Sequence, residues 1–153
     1  GEPWRDPSAI AQSLRILSSY RRWLGRDLLP PLALAEATTL ALFGAPFVVL
    51  SHGTEADPIL NYANRAALEL WETDWETLTR MPSRLTAEPA LREDRAKLLA
   101  DVLAKGYSEG YKGVRVSRTG KRFRIERATV WNLLDDGGKP AGQAATFDAW
   151  VPL

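Results

Sequence analysis

The spacing of apolar residues predicts an amphipathic helix at the start of the chain. Positions 6 and 7, Asp-Pro, are a typical helix start, and Gly25 is a typical stop. The apolar face of this helix is expected to consist of Ile10, Leu14, Leu17 and Leu24. Such a face needs a partner, which is either the rest of the fold or a second copy of the chain.

The next forty residues are predicted to pass from helix to strand and back to helix. The apolar stretch after Pro31 is as long as a membrane span, but Glu36 and a Gly-Ala-Pro breaker divide it into a short helix and a buried strand at 47–50. A second strand is predicted over residues 59–63. Asn64 is the natural N-cap of the alanine-rich helix that follows, because its side-chain oxygen can accept from a free backbone amide.

A longer helix and three strands complete the pattern. The helix runs from about Pro89 to Gly106, and its apolar stripe is expected to consist of Leu91, Leu98, Leu99, Val102 and Leu103. Alternation with period two then predicts an antiparallel meander of strands at 111–117, 122–134 and 141–151. Five strands without parallel crossovers indicate an α+β domain.

The composition argues against nucleic acids and anionic membranes as binding partners of the protein. The 153 residues suit one domain, and 20 basic against 19 acidic residues give a net charge of +1, which supplies no field to attract nucleic acid or an anionic membrane. The basic run at 118–124 is better explained as a solvated hairpin, since strand alternation separates its cations. We therefore expect no direct nucleic-acid partner, no membrane partner and, without a recognisable export signal, a cytoplasmic location.

Several long segments resemble a known family. Residues 47–71, FVVLSHGTEADPILNYANRAALELW, are similar to the strand, turn, strand and helix of PAS domains. More narrowly, residues 52–72, PSRLTAEP at 82–89, residues 110–138 and GQAATF at 142–147 resemble the MEKHLA domain. The resemblance implies a PAS-like fold, in which a five-stranded antiparallel sheet carries helices over one face and can enclose a small ligand.

The same resemblance implies where the domain begins in the chain and what role the domain has. It implies an N-terminal helical extension over residues 1–45 and a PAS-like MEKHLA domain over residues 46–153. MEKHLA domains occur as stand-alone bacterial and algal proteins and at the C-terminus of plant homeodomain-leucine zipper factors, and this chain resembles the stand-alone form. The implied role is sensory or regulatory, without chemistry of its own.

His52 is the one residue that suggests catalysis or metal binding. It follows the predicted buried strand, with Glu55 and Asp57 shortly after it. The spacing matches no metal-ligand pattern, and a turn is the commoner explanation, so we expect no metal site and no catalytic residue. A small enzyme that uses His52 with Asp57 or Tyr62 stays an alternative. Otherwise His52 and Tyr62 are candidate ligand contacts.

The residues that bind known cofactors in PAS domains can be looked for in this sequence. Haem-binding members typically place a histidine on the long helix, and residues 89–105 contain none. Light-sensing flavin members need a cysteine for the photoadduct, and the chain has no cysteine. The cofactor therefore stays unknown, and a noncovalent flavin or another apolar ring stays open.

Arg127 stands out in the long strand at 122–134. The odd positions of this strand are the more apolar, which places Arg127 on the core face. A buried guanidinium must be paired, either with a ligand anion or with Glu69, Glu72 or Glu88 of the protein itself. A bulge at this point would instead turn the side chain outward.

Aromatic residues and an amide complete the candidate ligand site. Trp71 and Trp131, with Phe147, are expected to wall one pocket between helix and sheet, although each could equally fill the core. Gln143 occupies the place where flavin-binding PAS domains present a glutamine to the ring. Arg84 precedes the long helix and is a candidate anion contact, or a surface residue.

These residues lead to one functional hypothesis and two rivals. We expect a sensory module in which a small ligand contacts Trp71, Arg127, Trp131 and Gln143, with a homodimer formed through the N-terminal helix. The first rival is a ligand-free dimerisation scaffold with a filled core. The second is the small enzyme that uses His52.

Overall fold

The computed structural model describes residues 1–90 and 92–153, and these residues form one sheet with helices on both faces. The helices are α1 (Pro7–Leu24), α2 (Ala35–Phe43), α3 (Arg65–Leu70), α4 (Trp75–Leu78) and α5 (Arg92–Lys105), with short 3-10 turns at Pro3–Arg5 and Ser83–Thr86. The strands are β1 (Val48–His52), β2 (Leu60–Ala63), β3 (Tyr107–Val116), β4 (Arg122–Leu134), β5 (Pro140–Phe147) and β6 (Ala149–Pro152).

The sheet confirms the predicted antiparallel α+β architecture. Its strands run in the order β2-β1-β5-β4-β3, and β6 also pairs with β4. The predicted last strand is divided at Asp148, but both halves keep one register on β4, with Thr129 opposite Thr146 and Glu126 opposite Ala149. The sheet therefore has six strands instead of five because one long strand is interrupted.

The face of the sheet that the prediction left uncovered is covered by α1. The indole nitrogen of Trp131 on β4 donates to the Ile16 carbonyl of α1 at 3.2 Å, and that of Trp23 donates to the Asn132 carbonyl at 2.8 Å. Around these bonds lies one core cluster, formed by Ile16, Tyr20, Leu42, Val49, Tyr62, Trp131, Leu133 and Ala144. The amphipathic helix thus finds its partner within the chain.

The buried side of α1 is only partly the one predicted, since Leu17 and Leu24 pack at the edge of the core cluster. The buried residues of the helix are Ala9, Gln12, Ser13, Ile16, Ser19 and Tyr20, whereas Leu14 is 39% exposed. Small and polar side chains suit this face because they hydrogen-bond the sheet. The Gln12 amide donates to Ser51 Oγ at 3.0 Å, and Ser19 Oγ accepts from the Leu134 amide at 3.0 Å. A search for large apolar residues overlooks such a contact.

The predicted apolar stripe of α5 is also wrong in part. Leu99 and Leu103 are 55% and 90% exposed, and Leu91 lies outside the described residues. The helix ends at Gly106, whose φ of +85° is a left-handed C-terminal conformation. A Cβ at Gly106 would stand 2.5 Å from the Trp23 ring, so this glycine also lets α1 approach the end of α5.

A bulge at Arg127 decides which residues of β4 face which side. Arg127 has φ +47°, and β4 has one more residue than β3 between the paired positions Ile125 with Gly113 and Ala128 with Tyr111. The predicted inward position of Arg127 is therefore wrong, and its side chain is exposed. The strand faces one core before the bulge and contributes to both after it.

The other core cluster lies beneath α3. It consists of Val48, Leu60, Ala63, Ala67, Trp71, Leu78, Phe123, Ile125, Ala128 and Phe147.

No helix in residues 1–90 or 92–153 combines the length and apolarity that crossing a bilayer requires.

Asn64 lies between the core cluster beneath α3 and the core cluster beneath α1. The predicted N-cap at Asn64 is confirmed. Its side-chain oxygen accepts from the backbone amides of Ala67 at 3.2 Å and Val49 at 3.0 Å. Its nitrogen donates to the carbonyls of Leu42 at 3.2 Å and Phe47 at 2.8 Å. All four bonds are made by a fully buried side chain that links α2, β1 and α3.

Replacing Asn64 should destabilise the whole domain. Asn64→Ala removes the partners of four backbone groups, and we expect a loss of about 3–5 kcal/mol in the free energy of unfolding. Asn64→Asp keeps the acceptor atoms but cannot donate to Leu42 and Phe47, so it should also destabilise. Urea unfolding followed by tryptophan fluorescence measures both. As a control, Asp74→Ala removes the exposed N-cap of α4 and should cost less; equal losses would contradict the role given to Asn64.

Candidate functional site

A cavity of about 420 Å³ lies between the sheet and the segment that leads into α5. The sheet side of its lining includes Leu50, His52, Tyr111, Arg115, Ile125, Val130, Gln143, Ala145 and Phe147. The opposite side includes Trp71, Arg84, Thr86, Glu88, Arg95 and Leu98. Apolar walls with a few polar groups among them are typical of small-molecule sites.

Four of the seven predicted ligand residues line this cavity. They are His52, Trp71, Arg84 and Gln143. His52 and Gln143 are paired across β1 and β5, and the Gln143 amide donates to Asn132 Oδ1 at 3.3 Å. The Trp71 indole donates to the Thr86 carbonyl at 3.2 Å, which leaves the ring against the cavity and Phe123 at a centroid distance of 5.2 Å.

The other three predicted ligand residues, Arg127, Trp131 and Tyr62, lie outside the cavity. Arg127 is exposed at the bulge. Trp131 and Tyr62 are buried in the core cluster beneath α1, so the pocket with walls of both Trp71 and Trp131 is wrong. The bulge at Arg127 is the reason, because the residues after it change sides. Burial raises the pKa of Tyr62.

The structure does not assemble the catalytic groups of the enzyme hypothesis. His52 lines the cavity, and its Nδ1 lies 2.9 Å from the Gly53 carbonyl. Tyr62 lies under the opposite face, and Asp57 forms an exposed ion pair with Arg84 Nε at 3.2 Å. In the described part of the chain, no three histidine or carboxylate side chains are grouped as metal ligands would be.

Several polar residues of the cavity were not predicted from the sequence, among them Tyr111 and Arg115. Tyr111 and Arg115 lie on β3, and Gly113 between them faces the same side. The guanidinium carbon of Arg115 lies 5.8 Å from the centre of the Tyr111 ring. The alternation of positions 111, 113 and 115 in a predicted strand was a signal that could have placed them together.

Comparison with known proteins identifies the family of this chain. The family model for the MEKHLA domain matches residues 10–152. The chain belongs to the MEKHLA domain family. The match includes most of α1, which also packs on the sheet. The division into an extension of residues 1–45 and a domain of residues 46–153 stays a prediction.

Plant homeobox-leucine zipper proteins are among the curated relatives of this MEKHLA domain. ATHB-9 of Arabidopsis thaliana is 30% identical over 97 residues, which cover 63% of this chain and 12% of that protein. HOX32 of Oryza sativa subsp. japonica is 29% identical over 153 residues, which cover 97% of this chain and 17% of that protein. The chain spans less than a fifth of the length of these relatives.

Solved structures of PAS and light-oxygen-voltage domains share the fold. A PAS domain from Colwellia psychrerythraea matches with a TM-score of 0.58 at 13% identity, over 74% of this chain and 95% of that one. An RNA-binding light-oxygen-voltage receptor matches with a TM-score of 0.62 at 19% identity, over 81% of this chain and 36% of that one. These likenesses confirm the PAS-like fold of the MEKHLA domain.

Glu72 fastens the end of α3, and so Trp71, to the hairpin between β3 and β4. The helix ends with Glu72 in the left-handed region at φ +56°, and the Thr73 amide returns to the Leu68 carbonyl at 3.0 Å. The Glu72 carboxylate accepts from the Thr119 hydroxyl, from Lys121 Nζ at 2.9 Å and from Ser117 Oγ at 2.8 Å. These bonds lower the pKa of Glu72 from 4.5 to about 2, with Thr119 as the largest cause.

The stability of the MEKHLA domain should therefore depend on Glu72 in a defined pH range. Because the folded-state pKa lies below the usual 4.5, the contribution is complete above that value and disappears as the pH falls toward about 2. The difference in free energy of unfolding between the parent and Glu72→Gln should be constant near neutrality and shrink in that range. The exposed Glu76 supplies the control variant Glu76→Gln. A difference that is independent of pH would contradict the proposed hydrogen bonding.

Proposed function

We propose that this MEKHLA domain is a non-enzymatic sensory module that binds a small ligand in the cavity beneath α3 and α5. The observation that carries the proposal is the cavity itself, which combines the apolar side chains of Trp71, Ile125 and Phe147 with the polar tips of His52 and Gln143. Its volume of about 420 Å³ lies within the range of sites for small molecules. A cytoplasmic location stays a prediction.

The proposed response to the ligand is a shift in the packing of α1. Arg95 and Leu98 of α5 line the cavity, so a ligand there contacts α5 directly. The end of α5 touches α1, because the Trp23 ring lies against Gly106. A coupling between two sites requires an element that differs between their states, and the α5 to α1 contact is our candidate for it.

Several contacts favour a binding role over an enzymatic one. His52 is the catalytic residue of the enzyme hypothesis, and its Nδ1 lies beside the Gly53 carbonyl. Asp57, the carboxylate of that hypothesis, forms an ion pair with Arg84. General acid and base catalysis needs such groups within reach of each other and of the substrate. The cavity instead presents side chains that recognise shape, charge and hydrogen bonding.

A ligand-free dimerisation scaffold is the second candidate function. It is favoured by Leu14, which remains 39% exposed on the outer side of α1. The rest of the apolar surface of α1 is largely used by its own sheet, so a dimer through this helix would be built around Leu14. This hypothesis requires the cavity to be irrelevant to function.

Ligand binding is tested with freshly purified protein. Native mass spectrometry and an absorption spectrum should show a bound mass, or a band beyond the tryptophan region. The variant Ala145→Leu places a larger side chain in the cavity at the centre of β5, and we expect it to abolish the bound mass. The exposed Ala11 of α1 provides the matched control, Ala11→Leu, which should keep it.

Two outcomes would contradict the sensory proposal. One is the absence of any bound mass together with no thermal shift from a small-molecule library. The other is equal occupancy in Ala145→Leu and Ala11→Leu, because a ligand that tolerates the filled cavity binds elsewhere. Circular dichroism establishes that both variants keep the fold.

The scaffold hypothesis predicts a dimer that depends on concentration and on α1. Analytical ultracentrifugation measures it over a dilution series. Under that hypothesis Leu14→Glu should yield a monomer, since it places a charge in the apolar contact, whereas Leu103→Glu on the exposed side of α5 should not. A monomer at all concentrations for the parent protein would rule out this function.

A further inference from the structure

Arg115 is the half-buried charged group of the cavity that no carboxylate of the described residues neutralises, whereas Arg95, which also lines the cavity, is exposed. Two of the other charged lining residues form ion pairs: Arg84 with Asp57, and Glu88 with Arg122. Among the residues that the structure describes, no carboxylate pairs with Arg115, although its side chain is half-buried. Burial lowers the pKa of Arg115, which is the direction expected when a cation lies away from water without an anion.

The backbone beneath Arg115 is shaped to hold its guanidinium along the strand. One guanidinium nitrogen donates to the Val114 carbonyl at 3.2 Å, and the group extends back over Gly113 toward Tyr111. A Cβ at Gly113 would lie 2.8 Å from Arg115 Nη1. The missing side chain therefore makes the room that this orientation needs, and the contacts with Val114 and Tyr111 leave other guanidinium donors available.

We propose that the cavity selects ligands that combine an apolar body with a carboxylate, and that Arg115 binds the carboxylate. This inference rests on the proposed function and specifies its ligand class. The apolar part would contact Leu50, Trp71 and Phe147, which line the same cavity. Arg115 is then a specificity-determining residue.

A carboxylate matches the site better than other groups do. The planar fork of a guanidinium suits the two oxygens of a carboxylate, and one cation suits one negative charge. A neutral ligand would leave a desolvated cation without a partner, which is costly. The lining of the cavity as a whole is more apolar than polar, so we expect the remainder of the ligand to be apolar too.

The test compares decanoic acid with decyl alcohol, which share a chain and differ in charge. Dissociation constants are measured at neutral pH by calorimetry or by tryptophan fluorescence, since Trp71 lines the cavity. The parent protein should bind the acid about tenfold or more tightly than the alcohol, as a charge-assisted hydrogen bond implies. Arg115→Gln should remove that preference, because it weakens binding of the acid and no longer penalises the alcohol.

Two further variants separate a binding role from a structural one. Arg127→Gln removes the same charge from an exposed position outside the cavity, and it should keep the preference for the acid. Gly113→Ala should weaken binding of the acid with Arg115 present, because the added methyl displaces the guanidinium. If Arg115→Gln does not fold, Arg115→Lys tests the same point, since it keeps the charge and loses the planar fork.

The outcomes distinguish this inference from the broader proposal. Equal binding of acid and alcohol by the parent protein, or equal effects of Arg115→Gln and Arg127→Gln, overturns the inference while the cavity remains a ligand site. Binding of neither compound also overturns it. The sensory proposal is then decided separately by the native mass measurement with the Ala145→Leu variant.

Discussion

The bulge at Arg127 is the constraint on which the two-sided organisation of the domain depends. A backbone φ of +47° costs a residue other than glycine about 1–2 kcal/mol. Beyond Arg127, the side chains at odd and even positions of β4 point to the opposite faces of the sheet from those before it. Before the bulge, Phe123 and Ile125 pack beneath α3; after it, Trp131 and Leu133 pack beneath α1. Without that exchange, the large Trp131 ring would point into the cavity and the hydrogen bond that holds α1 would be lost.

The corner between sheet and helix follows from local chemistry, and for that reason it could be predicted. Asn64 is the expected N-cap, because an Asn between a strand and an alanine-rich helix satisfies orphan amides. Its donor bonds to Leu42 and Phe47 could not be foreseen, since they depend on a neighbouring helix that only the folded chain brings close. The other end of that helix carries no such signal in the sequence, because Glu72 takes a left-handed conformation that is usually left to glycine.

Strand periodicity predicted the fold and about half of the site. Trp71 and Gln143, which were expected in one pocket, line one cavity together with the separately chosen candidates His52 and Arg84. Trp131 and Arg127 were misplaced by a single residue of register, which exchanges every side chain beyond it. Part of the face of α1 was misjudged for another reason: Gln12 and Ser19 are polar, and only their bonds to the sheet make burial favourable. Arg115 was missed although strand alternation places it on the same face as Tyr111.

The two faces of the sheet are packed in different ways, and this difference supports a sensory role. Beneath α1, indole donors, buried amides and close aromatic contacts such as Tyr20 with Trp131 at 4.9 Å fix one arrangement. Beneath α5, a cavity replaces such contacts, and a cavity forfeits dispersion energy that close packing would provide. Leu103 of α5 is almost wholly exposed, so this helix is held by few apolar contacts. Elements with few buried contacts are the ones that move at low cost. Since Trp23 of the rigid side rests on Gly106 at the end of α5, a movement of α5 would meet α1 at that point before it reached the rest of the sheet.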